Sequence, residues 1–119
     1  MKRLKFALIL LLFFSFASAK ESDATLCKYD GTQQEMNACA RHDYKLANAK
    51  LNKRYKELFS SLNVSKQDEL RAQQKTWLSK TDAKCRLEAK DSEGGSIWPA
   101  EFFYCLELET RQRTKMLGK

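Results

Sequence analysis

Along most of this chain apolar side chains return every three or four positions, with charged residues between them, which is the period of a helix packed on one side. One series runs through Met36, Ala40, Ala47, Leu51, Tyr55, Leu58 and Leu62. A second takes in Leu70, Gln74, Trp77, Leu78, Thr81 and Cys85. A third follows Phe102, Cys105, Leu106, Glu109, Arg113, Met116 and Leu117. No stretch alternates long enough to predict a strand of useful length. The pattern predicts an all-α fold, a three-helix antiparallel bundle in which short links let each helix bury its apolar stripe against its neighbours.

The breaks between the series carry stop and start signals. Asp30-Gly31 reads as a turn, and Thr32 followed by Glu35 is a capping box, so the first helix is expected from about Gln33 to Ser61. Asn63-Val64 ends it. Ser65 with Asp68 resembles a second cap and predicts a helix running to about Ala89. Asp91 to Ser96 is polar and holds Gly94-Gly95, so it reads as a loop. Pro99 sits where a first helical turn tolerates a residue without an amide hydrogen.

The first 19 residues have a different pattern. Lys2, Arg3 and Lys5 precede an apolar run from Phe6 to Phe16, and Ala17-Ser18-Ala19 has the small residues of a cleavage site. This predicts a signal peptide over 1–19 and a mature chain over 20–119, one small domain, periplasmic or secreted. The run is too short for a permanent membrane span. Cys27 follows Leu26 and lies well beyond Ala19, so no lipid anchor is expected. Four cysteines, Cys27, Cys39, Cys85 and Cys105, make an even set, which in a small exported protein reads as a disulfide frame. Local bridges, Cys27–Cys39 and Cys85–Cys105, need the least chain closure, although the spacing also permits crossed pairings.

Charge excludes some functions. The formal charge of +7 falls to +4 once Lys2, Arg3 and Lys5 leave with the leader. The remaining cations are interleaved with acids rather than clustered, so nucleic acid is not an expected partner. His42 is the sole histidine and has no companion ligands, so no metal and no cofactor are expected. Neither a phosphate-binding glycine loop nor a nucleophile elbow is present. Glu35, Asp43, Asp82 and Glu88 are the carboxylates that a sugar hydrolase would draw on. Acids in so highly charged a helical chain more often pair with Lys or Arg at helical spacing, and a small bundle offers little cleft, so no enzymatic activity is expected.

The segment Asp91, Glu93, Gly94, Gly95, Ser96, Ile97 and Trp98 is the candidate binding element, flexible at the glycines and closed at its base if Cys85 bonds Cys105. Pre-fixing such a loop reduces the ordering cost of association, and Ile97 or Trp98 is a candidate anchor in a protein partner. The alternative is that both side chains staple the entry to the third helix. Trp77 is expected in the core, Asp82 is expected to pair with a basic residue, with Arg113 the candidate, or to cap a neighbouring element, and Asn48 and Asn52 are expected to hold polar contacts between helices.

Taken in order, Cys27-x11-Cys39, Leu51-Asn52-x2-Tyr55, Gln74-x2-Trp77-Leu78-x3-Asp82-x2-Cys85, Gly94-Gly95-Ser96 and Cys105-Leu106-x3-Thr110-x2-Arg113-x3-Leu117 resemble the lysozyme inhibitor LprI-like N-terminal domain. The resemblance covers nearly the whole mature chain. It implies a helical, disulfide-stapled envelope domain in which Asn52, Tyr55, Trp77, Asp82, Thr110 and Arg113 are structural. It also implies a protein partner, a lysozyme, bound and occluded by this chain. Rival expectations are another protein-binding role in the envelope, such as an immunity or accessory protein of a secretion system, and a cell-wall sugar hydrolase. The chain departs from the family pattern at Asn48, where an acid is common, and at Thr81, where an arginine is common. Many host lysozymes are strongly basic, so a chain of net positive charge needs a local acidic patch, such as Asp91 with Glu93, to meet one.

Overall fold

The structure, a computed structural model, describes residues 22–118, so the expected leader and its cleavage site lie outside the described residues. Four α-helices follow in order: α1 (Asp23–Leu26), α2 (Gln33–Ser61), α3 (Val64–Glu88) and α4 (Trp98–Leu117), with a 3-10 turn at Lys90–Ser92 between the last two. There is no strand among the described residues. The all-α expectation holds, but the count of three is corrected to four. The additional helix is a single turn capped by Ser22, whose side chain accepts from the Thr25 amide.

Helix α2 begins where its local chemistry dictates. The Thr32 hydroxyl accepts from the Glu35 amide at 3.3 Å while the Glu35 carboxylate accepts from the Thr32 amide at 2.8 Å, completing the capping box. A Cβ at Gly31 would meet Glu35 Oε2, so a larger residue there would displace the carboxylate from its place in the cap. The start of α3 is a correction. Its cap is Asn63, whose side chain accepts from the Lys66 amide at 3.0 Å, so the helix opens at Val64 and not after Ser65. Pro99 stands in the first turn of α4, as expected.

Direction follows from contacts along the helices. Cys85 meets Cys105, Gln74 meets Arg113 and Leu70 packs with Leu117, so α3 and α4 are antiparallel. Asn37 reaches Ser96, Tyr44 packs on Phe103 and Arg54 reaches Leu117, so α2 and α4 run parallel. Two successive reversals require this, and the expectation of antiparallel helices therefore holds only for chain neighbours. Helix α4 is the hub, making close backbone approaches to both long partners, whereas α2 and α3 make few to each other.

The core has two parts. Near the start of α4, Cys85, Ala89, Phe102 and Cys105 are buried, with Trp98, Phe103 and Leu106 against them. At its far end Leu51, Leu70 and Leu117 are buried, with Tyr55, Phe59 and Trp77 among those packed around them. Two stripe positions are corrected: Leu78 and Met116 are exposed. Each is one position from a residue packed at the far end of the core, Trp77 and Leu117, and adjacent helical positions diverge by about 100°.

Both disulfides join the local pairs, Cys27 to Cys39 and Cys85 to Cys105. The first ties the segment before α2 onto that helix. The second joins α3 to α4 beneath the turn that connects them.

Candidate functional site

The α3–α4 turn is held from several sides. Cys85–Cys105 closes its base, and the 3-10 turn at Lys90–Ser92 follows the buried Ala89. Gly94 has φ +80°, a left-handed conformation that glycine adopts without the clash a Cβ brings. The Gly95 amide donates to the Ser92 carbonyl at 2.9 Å, and the Ser92 hydroxyl donates to the Glu101 carboxylate on α4. From α2, the buried Asn37 donates to the Ser96 carbonyl at 2.7 Å, and its own side-chain oxygen accepts from Gln33 at 2.9 Å.

The side chains of this segment point to different uses. Asp91 and Glu93 are exposed. Ile97 is 45% exposed, enough to be touched by a partner. Trp98 is half-buried, stacked on Phe102 with ring centroids 4.8 Å apart and packed on the cluster around Cys85. Of the two anchor candidates, Ile97 is the accessible one, and Trp98 fastens the beginning of α4.

Beside Ile97 lies a groove of about 460 Å³ between the N-terminal halves of α2 and α4. Met36, Ala40 and Ala100 give it apolar walls, and Cys39 brings in the first disulfide. Tyr29, 69% exposed, and Tyr104, 59% exposed, stand at it with rings open to solvent. Three carboxylates, Asp43, Glu101 and Glu107, line it, and no lysine or arginine does. Asp43 accepts from the Tyr29 hydroxyl, at 2.8 Å to one oxygen and 3.0 Å to the other. That hydrogen bond to a carboxylate raises the Tyr29 pKa above the ordinary phenol value. Glu107 is buried and pairs with Arg111 at 2.6 Å, one turn along α4. Asp43 and Glu101 have neutral hydroxyl partners and no ion pair among the described residues, although Asp43 also borders Lys50, Arg111 and Lys115 in an adjoining groove.

Sequence reasoning missed this groove. The signal was the series Ile97, Glu101, Tyr104 and Leu108 at helical spacing on α4, mixing apolar and acidic side chains on a face distinct from the core stripe. Only the parallel neighbour α2 turns that face into a wall.

The residues expected to be structural are distributed as follows. Tyr55 stacks on Phe59 at 5.8 Å, Trp77 packs on the far core cluster, and Thr110 is buried. Asn52 is exposed. The expected Asp82–Arg113 pair is not formed. Asp82 accepts from Arg86 at 2.9 Å on its own helix, an exposed pairing at i, i+4. Arg113 lies further along α4, donates to Gln74 at 3.0 Å and sits over the Trp77 ring at 5.8 Å. Burial lowers its pKa, and its Nη2 is buried without a hydrogen-bond partner among the described residues.

The four carboxylates considered for catalysis do not share one site. Glu35 caps α2, Asp43 is in the groove, Asp82 pairs with Arg86, and Glu88 faces Lys84. Among the described residues there is no group of three or more His, Cys, Asp or Glu placed to hold a metal. Nor is any helix there long and apolar enough to cross a membrane.

Compared with known proteins, residues 27–117 match the family model described as lysozyme inhibitor LprI. The match begins at the first disulfide cysteine and ends at the last core leucine. An uncharacterised protein of Rhizobium meliloti (strain 1021) is 28% identical over 124 aligned positions, covering 93% of this chain and 89% of that relative. No solved structure matches.

Proposed function

The chain belongs to the lysozyme inhibitor LprI family, and from that membership we propose that it is an exported protein that binds and inhibits a lysozyme and is not itself an enzyme. Two disulfides in so small a domain suit an oxidising compartment outside the cytosol. Inhibition proceeds by occlusion: the α3–α4 turn, with Asp91, Glu93 and Ile97 outermost, enters or covers the enzyme's cleft. The observation that carries this reading is the turn itself. It presents two exposed acids on a backbone fixed by a disulfide below, a left-handed glycine at its tip and a hydrogen bond from Asn37. A loop already fixed before contact loses little conformational freedom on binding. The acids supply the local negative charge that a net-positive protein needs near a basic enzyme.

The test is a cell-wall lysis assay in which the purified mature chain is added to a panel of lysozymes. Lysis by at least one enzyme is expected to fall as the chain is titrated, and the Asp91→Lys/Glu93→Lys variant to inhibit that enzyme about tenfold less well, as for loss of favourable charge at an interface. Unchanged lysis across the panel at roughly micromolar excess, a concentration that specific protein pairs saturate, refutes the inhibitor reading for those enzymes.

A further inference from the structure

We infer that the groove between α2 and α4 is a recognition pocket for an arginine side chain, flanked by aliphatic residues, on the protein partner. This deepens the lysozyme reading and rests on it for the partner's identity, but its chemistry is read from the groove alone.

Three features select that occupant. The ionisable side chains that line the groove are acids, Asp43, Glu101 and Glu107; Glu107 is paired with Arg111, Asp43 also borders Lys50, Arg111 and Lys115 in an adjoining groove, and Asp43 and Glu101 have no ion pair among the described residues. This is a local reversal on a chain whose overall charge is positive, so long-range attraction does not account for a cationic guest and short-range complementarity has to. The walls are apolar, from Met36, Ala40, Ala100 and Ile97, which suits the methylene stem of a long side chain and an aliphatic neighbour beside it. The rings of Tyr29 and Tyr104 are open to solvent, and a planar guanidinium stacks on such faces while its fork of donors meets a carboxylate. A lysine ammonium satisfies the charge but neither the stacking nor the fork. Ile97 belongs to both the groove and the turn, so a partner seated on the turn has the groove within reach of its neighbouring side chains.

Two probes separate the pocket from the identity of the partner. The first is the peptide acetyl-Leu-Arg-Leu-amide, titrated into the isotope-labelled mature chain, with the citrulline analogue as its uncharged control. Chemical-shift changes are expected at Tyr29, Ile97 and Tyr104 with arginine and not with citrulline, and to vanish in Glu101→Lys/Tyr104→Ala. Equal shifts from both peptides, shifts confined to other surfaces, or none at all would overturn the pocket. The second probe is the lysozyme most strongly inhibited in the panel, followed by calorimetry. About a tenfold or greater loss of affinity is expected for the same double variant, the size typical of an anchor charge and an aromatic ring together. If that enzyme binds wild type and variant equally, the pocket is refuted for it and the inhibitor reading stands. If no lysozyme binds but the arginine peptide maps to the groove, the pocket stands and the inhibitor reading fails. Both Glu101 and Tyr104 are exposed, and an unchanged far-ultraviolet spectrum of the variant verifies that it folds.

Discussion

The Tyr29 phenol donates to both oxygens of Asp43, and ionising it would place a second negative charge against that carboxylate. Its pKa is therefore raised, with the hydrogen bond to Asp43 the largest cause. The stabilisation this contact gives is complete below the ordinary phenol value near 10.0 and is lost as pH rises through the higher folded value. Replacing Asp43 with Asn is expected to bring the Tyr29 titration back toward the ordinary value, read from tyrosinate absorbance against a Tyr29→Phe control. A Tyr29 titration unmoved by the substitution would show that the hydrogen bond does not hold the phenol. Residue-scale partnerships of this kind were mostly illegible in the sequence. Asp82 and Arg113 stand on packed neighbouring helices but at different levels, Asp82 projecting to solvent beside Arg86 while Arg113, level with Gln74, is drawn in over Trp77. Which charge meets which depends on the rotation of each helix, and two charges on separate helices carry no mark of it.

At the scale of elements, the short helix α1 shows what local signals miss. One turn is too little to form alone, because nucleation is unfavourable and few hydrogen bonds follow. It persists here because Asp23 on α1 accepts from Arg41 at 3.0 Å and from Lys45, both on α2, while Cys27–Cys39 fastens the segment behind it. The hydrogen bond from Lys45 is the largest cause of the lowered Asp23 pKa. A depressed carboxylate contributes fully above its unfolded value near 3.8, and that contribution disappears as pH falls through the lower folded one. Amide exchange at Thr25 and Leu26 is therefore expected to accelerate on acidification through that range, once corrected for intrinsic exchange, and Asp23→Asn to exchange fast already at neutral pH. Exchange independent of both changes would mean that the disulfide alone holds α1. The start of helix α2 at Gln33, by contrast, is legible in the sequence because a capping box acts within four residues. The start of α3 is less legible, since Asn63 and Ser65 are both good caps and only Asn63 is used.

For the whole molecule the decisive element is α4, which packs along both long partners and carries Cys105 into the core beside Cys85. A disulfide closing a chain segment of 20 residues contributes about 3 kcal/mol by restricting the unfolded state. Cys85→Ser/Cys105→Ser is expected to lose about that much in urea unfolding, a large share of the stability of so small a domain. The same variant is expected to inhibit less well than its remaining helicity implies, because the turn above the bridge is freed. A double variant as stable as the parent would mean that helix packing alone holds α3 to α4.

By itself the sequence determined that this chain is helical, where its long helices lie to within a turn, and that its cysteines suit two local bridges. Those features arise from contacts three or four residues apart, or from closure of short loops, so they are written in neighbouring letters. Tertiary structure decided the rest: that α2 and α4 run side by side in the same direction, that Trp98 turns inward while Ile97 stays out, and that Tyr29, Asp43, Glu101 and Tyr104 meet around one groove. Residues so far apart in the chain become neighbours only through the relative rotation of packed helices, and that rotation is set by the sum of many small packing contacts rather than by any short motif.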